Sequence, residues 1–127
     1  MERNYEIIYY GSYINKLNEL DNKLKISLKE KYESPKTNDM TEAASEEFSQ
    51  WDNMLNEIYS ILEQQLPKDE MDKLREEELN WINTKEKKAK EDEAKYEGGS
   101  IAPFMRLSSL IGSTKNRCYE LVNQYMK

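Results

Sequence analysis

The chain has 127 residues, 37% hydrophobic and 35% charged, with a formal net charge of -6. That length fits one domain, and so few apolar residues fill a narrow seam between solvated helices better than the core of a compact α/β enzyme. The acidity, with a pI of ≈ 4.9, argues against nucleic acid or an anionic membrane surface as partner, and the lack of histidine removes Ser-His-Asp and Cys-His catalysis together with histidine-bearing zinc sites.

In chain order, the first predicted helix runs from Asn4 to Tyr32. Tyr10, Tyr13, Leu17, Leu20, Leu24 and Leu28 recur at steps of three and four, which places them on one helical face. Tyr5, Tyr9, Tyr10 and Tyr13 crowd its start, and Tyr9, Tyr10 and Tyr13 are candidate contacts for a partner. "ESPKTND" (33–39) ends the helix, because Pro35 lacks a donor and disfavours helical geometry at Ser34. Asp39 or Thr41 is the expected cap of the second helix, with Glu42 completing a capping box from Asp39. That helix reaches Leu66 and carries the clearest pattern of the chain, a heptad seam of Ala44, Phe48, Trp51, Leu55, Ile58 and Leu62.

Pro67 opens the third helix, with Asp69 and Glu70 at the positive end of its dipole. Its seam of Met71, Leu74, Trp81 and Ala89 is sparse, helped by Leu79 and Ile82. The acids of "REEEL" (75–79) point in different directions, so they read as a solvated face and not as a metal site. Beyond Ile82 the run is nearly all charged, supported by pairs such as Glu86–Lys90 and Glu91–Lys95.

"EGGS" (97–100) invites comparison with a phosphate loop, but the lysine and hydroxyl that such a loop needs at fixed spacing are missing. The spacing instead predicts a helix stop at Gly98 in the left-handed conformation, a reversal at Gly99, a cap at Ser100 and Pro103 within the next first turn. In the fourth helix Phe104, Leu107, Ile111, Thr114, Cys118, Leu121 and Tyr125 form the seam. The lone Cys118 is therefore expected to be a small core side chain, and Gly112 to allow close packing or a slight kink. Arg106, one turn into this helix, is a further candidate contact. The expected architecture is all-α, an elongated antiparallel bundle of three to four helices forming a single domain over 1–127. No metal or other cofactor is expected.

From Met40 onward the order of features resembles the LprI-type lysozyme-inhibitor domain family of bacterial envelope proteins. "WDNMLNEIYSIL" carries the resemblance through Asp52, Leu55, Asn56, Tyr59 and Leu62; "LREEELNWINTKE" through Leu74, Trp81, Lys85 and Glu86. "EGGSIAP" adds Gly98, Gly99 and Ser100, and "STKNRCYEL" adds Thr114, Arg117 and Leu121. Members often carry cysteines where this chain has Ala43-Ala44, Lys88-Ala89 and Ser109-Leu110, so any disulfide staple is lost here. Arg117 is expected to be structural, pairing with acids of the third helix. The helix at 4–32 lies outside the resemblance, which covers 40–127. The resemblance implies a non-enzymatic binding protein, exported to the cell envelope or secreted with its signal removed, with a basic lysozyme as protein partner. The alternative function is a structural or interaction protein, not a lysozyme inhibitor, that associates through its N-terminal helix with its own copies or another chain; the alternative location is the cytoplasm. No segment is apolar enough to span a membrane.

Overall fold

The computed structural model describes the backbone of residues 2–126 and the side chains of residues 11–126. It is all-helical over the described residues: α1 (Glu2–Ser27), α2 (Lys29–Tyr32), α3 (Thr37–Gln65), α4 (Lys68–Ala94) and α5 (Ala102–Tyr125). The expected first helix is interrupted at Leu28, whose φ of -101 and ψ of 0 turn its buried side chain into the core. The backbone ladder nonetheless carries through, since Leu28 N–H donates to Leu24 O and Tyr32 N–H to Leu28 O, both at 3.0 Å.

The start of α3 differs from the expected capping box. The helix begins at Thr37 behind an extended Lys36, and no side chain caps it. Asp39 is drawn away from the helix end because the Ser34 hydroxyl donates to its carboxylate at 2.7 Å. Thr41 sits inside the helix and donates back to Thr37 O at 2.9 Å. Pro67 stands just before α4 in an extended conformation instead of inside it. Gly98 takes the positive φ that the sequence requires, 86°, and ends the turn after α4. Ser100 does not cap α5; the helix starts at Ala102 behind Ile101, with no side-chain cap. Gly112 is exposed and a Cβ there would meet nothing within 4 Å, so close helix packing does not require it.

Side-chain pairs set the directions of the helices. Tyr13 of α1 meets Glu57 and Tyr32 of α2 meets Glu47, so α3 runs back along α1 and α2. Tyr59 reaches Leu74 O, Glu78 pairs with Arg117, and Glu86 with Arg106, which makes α4 antiparallel to both α3 and α5. The result is an up-down-up-down bundle of four long helices. With 24 to 29 residues in each of the last three, they span roughly 36–44 Å at 1.5 Å per residue.

α5 is the central helix, packed against α1, α3 and α4. Its Cys118, Leu121 and Val122 join Leu17, Leu24 and Leu28 of the N-terminal segment, Trp51, Leu55, Ile58 and Leu62 of α3, and Met71 and Leu74 of α4 in one core. The N-terminal helix is therefore part of this core. Burial of each such large side chain contributes about 1.5–3 kcal/mol. α4 contributes least. Leu79 and Ile82, expected to help its seam, are 65% and 38% exposed, because they lie with Arg75 along the edge of the helix and not on the seam.

Candidate functional site

The residues that mark helices two to four in the sequence converge on one side of α5. On α3, Asp52, Asn56 and Tyr59 follow each other at steps of four and three, while Leu55 turns inward at 4% exposure. Asn56 is exposed; Asp52 and Tyr59 are half-buried. Tyr59 spans the gap to α4 by donating its hydroxyl to Leu74 O at 2.9 Å. Burial raises the Tyr59 phenol pKa further, aided by the charge of Glu78, so it remains a donor at any physiological pH.

α4 offers a polar stripe at helical spacing, Glu78, Trp81 and Lys85. Glu78 is the exception to the solvated reading of "REEEL": its side chain is only 15% exposed and accepts from Arg117 Nε at 3.3 Å. Burial pushes its carboxyl up, against the opposing pull of Arg117 and Lys85. Arg117 itself is buried and also donates from Nη1 to Glu120 at 3.0 Å, which matches the expected pairing with third-helix acids. Its Nη2 and the buried Thr114 Oγ1 have no hydrogen-bond partner in the protein. Trp81 holds two cations, with Lys85 Nζ at 4.6 Å and the Arg117 guanidinium at 5.9 Å from its ring centroid; Lys85 also stands 5.7 Å from Phe48. The steps from Leu74 through Glu78, Trp81 and Lys85 to Ala89 are four, three, four and four. That spacing was the signal that Glu78 and Lys85 face inward despite their charge.

Outside this buried network lies a depression of about 280 Å³ between α3 and α4, lined by Tyr59, Arg75, Glu78 and Leu79. Asp39, Glu42, Glu46, Glu47, Asp52, Glu57 and Glu63 are the only charged residues of α3, which has no base. Of these acids, Asp52 and Glu63 share the helical spacing of Tyr59, while Asp39, Glu42, Glu47 and Glu57 bond to Ser34, Lys31, Tyr32 and Tyr13 of the N-terminal segment. The network holds no reactive pair. Burial, with the charges of Asp52 and Glu78, pushes the Cys118 thiol up to about 12, so it stays protonated and packs against Trp51 O at 3.7 Å. No group of three or more Cys, Asp or Glu among the described residues is placed to hold a metal ion.

The other sequence candidates stand elsewhere. Gly98, Gly99 and Ser100 are exposed at the end of the bundle, beside a hollow lined by Lys90, Glu93, Glu97 and Gly98. Arg106 is half-buried and pairs with Glu86 at 3.7 Å. Tyr13 is only 4% exposed and donates to Glu57 at 2.6 Å; it is an interior residue and not part of a tyrosine contact patch. The side chains of Tyr9 and Tyr10 lie outside the described residues. No described helix is long and apolar enough to cross a membrane.

A family model described as lysozyme inhibitor LprI matches residues 15–121. The match starts within α1, so the family extends into the N-terminal helix that the resemblance over 40–127 leaves out, and it takes in all the network residues above. No curated protein and no solved structure matches the chain.

Proposed function

The chain belongs to the LprI lysozyme-inhibitor family, and from that premise we propose that it is a non-enzymatic binding protein of the bacterial cell envelope that inhibits lysozyme by surface contact. The observation that carries this reading is the charge layout. α3 carries seven acids and no base, whereas the acids of α4 are interspersed with lysines and arginines, and a strongly basic enzyme is steered towards such a one-signed helix. The site residues do not form a nucleophile and base; they lock helices together and leave an acidic, partly apolar surface outside.

The alternative, a structural protein that associates through the N-terminal helix, loses its motivating feature. Tyr13, Leu17, Leu24 and Leu28 are consumed by the chain's own core, so that stripe is not offered to a second copy.

Lysis of cell-wall suspensions by a basic lysozyme, followed by turbidity with increasing amounts of the protein, tests the proposal. Lysis should fall in proportion to added protein at low salt and recover as salt screens the attraction. Unchanged lysis in the presence of excess protein at low salt refutes it.

A further inference from the structure

The α3–α4 groove presents apolar surface beside a helix, α3, that carries acids and no base. α5 packs against both helices, but α3 and α4 meet mainly through long side chains, Tyr59 to Leu74 O and Lys85 towards Phe48. That leaves a depression whose walls are the Tyr59 ring and Leu79, with Glu78 and Arg75 completing it. Leu79 is 65% exposed and Ile82, one turn further along the same edge, 38%. At about 280 Å³ the space lies just below the ~300–1,000 Å³ of small-molecule pockets. It suits one long side chain better than a free metabolite.

Charge decides what kind of side chain. The two cations nearest the depression are already engaged: Arg75 by Asp72 at 3.1 Å, and Arg117 by Glu78 and Glu120. On the α3 border the charged residues at the matching helical spacing are Asp52 and Glu63, with Asn56 between them. A lysine or arginine lays its aliphatic stem against Leu79 and the Tyr59 ring and keeps its charged head among these acids. The hollow beside Gly98 is less suited, since Lys90 stands among its acids and no aromatic ring lines it.

We propose that the α3–α4 groove is the docking surface for a cationic protein, with the depression between Tyr59 and Leu79 receiving one lysine or arginine side chain of that partner. The assignment rests on the lysozyme-inhibitor reading for the partner's identity, but not for the groove's preference for a basic side chain.

Two probes separate those claims. Binding of a basic lysozyme to the wild type, Leu79→Arg and Ile26→Arg is measured by calorimetry; both substituted positions are exposed, at 65% and 79%, so neither disturbs the core. Amide shifts of the isotope-labelled wild-type protein are recorded in parallel with a tetra-lysine peptide. Leu79→Arg should bind lysozyme at least tenfold more weakly, while Ile26→Arg keeps wild-type affinity. Undiminished binding by Leu79→Arg overturns the groove and leaves the inhibitor reading standing. If lysozyme does not bind the wild type but the peptide shifts the Tyr59 and Leu79 amides, the inhibitor reading falls and the groove stands as a cation-accepting surface. If the peptide leaves those amides unmoved, the groove assignment is wrong.

Discussion

Replacing Arg117 by methionine keeps much of the buried stem and removes the charge. Glu78 then loses the guanidinium that meets it at 3.3 Å, while its side chain stays only 15% exposed. Breaking a buried pair by removing one partner costs about 3–5 kcal/mol. The lower end applies here, because Glu78 keeps some contact with water. At ~2.1 cal/mol/K of unfolding entropy per residue, this chain of 127 residues gives roughly 0.27 kcal/mol per degree, so a loss of ~3 kcal/mol lowers Tm by about 11 °C. The loss depends on pH in a defined direction. Burial already raises the Glu78 carboxyl above its ordinary value of 4.5, and Arg117 opposes that rise; without Arg117 it climbs further. The folded state then holds a proton that the unfolded chain releases, so stability is spared below the ordinary carboxylate range and falls as pH rises through the raised value. Thermal unfolding by circular dichroism at pH 4, 5.5 and 7.5 should show the difference between Arg117→Met and wild type widening with pH. The double variant Glu78→Gln/Arg117→Met should recover much of the loss at pH 7.5. A difference that is the same at all three pH values, or a double variant as unstable as the single one, refutes the reasoning.

Leu17→Ala removes a fully buried side chain from the N-terminal helix and should cost about 2–5 kcal/mol in a single cooperative transition. Two transitions, or an unchanged Tm, would show that α1 folds apart from the rest. The glycines separate by backbone angle. Gly98→Ala forces a side chain to φ 86 and should cost ~1–2 kcal/mol, while Gly112→Ala, with open space around the new Cβ, should gain up to ~1 kcal/mol from helix propensity; differential scanning calorimetry of the two variants checks the opposite signs.

Periodicity made the bundle legible wherever apolar residues repeat without charges between them. The α3 seam through Trp51, Leu55, Ile58 and Leu62 is buried throughout, and Cys118 lies on the buried face of α5 where its spacing puts it. α4 was harder because hydrophobicity and position disagree there. Leu79 and Ile82 are apolar but sit on an edge, while Glu78 and Lys85 are charged but sit on the seam, held by Arg117 and by two aromatic rings. Trp81 is a neighbour on α4 itself, but Phe48 and Arg117 come from α3 and α5, and a pattern of residue types within one helix cannot register them. The caps failed for a local reason. The Ser34 hydroxyl competes for the Asp39 carboxylate, and the chain after Gly99 turns once more before α5 begins. The groove was invisible in sequence because it depends on how far α3 and α4 stand apart on α5. Only the residue types along its edges, Asp52, Asn56 and Tyr59, were on view.

The positions where the family resemblance implies cysteines show how this chain holds together without them. Ala43, Ala44 and Ala89 are fully buried and Leu110 is 2% exposed, so small and branched apolar side chains occupy interior sites. A disulfide contributes typically 2–4 kcal/mol, largely by restricting the unfolded chain. Side-chain bonds between helices act instead on the folded state, at about 0.5–1.5 kcal/mol each. Tyr13 to Glu57, Tyr119 to Asn18 and Lys115 to Asp21 tie α1 to α3 and α5; Arg117 to Glu78 and Tyr59 to Leu74 O tie α4. Several such bonds, added to a core that reaches from Leu17 to Val122, are of the size of one cross-link. None of them responds to redox potential, and the one thiol is buried and protonated. The packing of α3 against its neighbours thus needs no disulfide, and the proposed inhibition of lysozyme should respond to salt and not to thiol reagents.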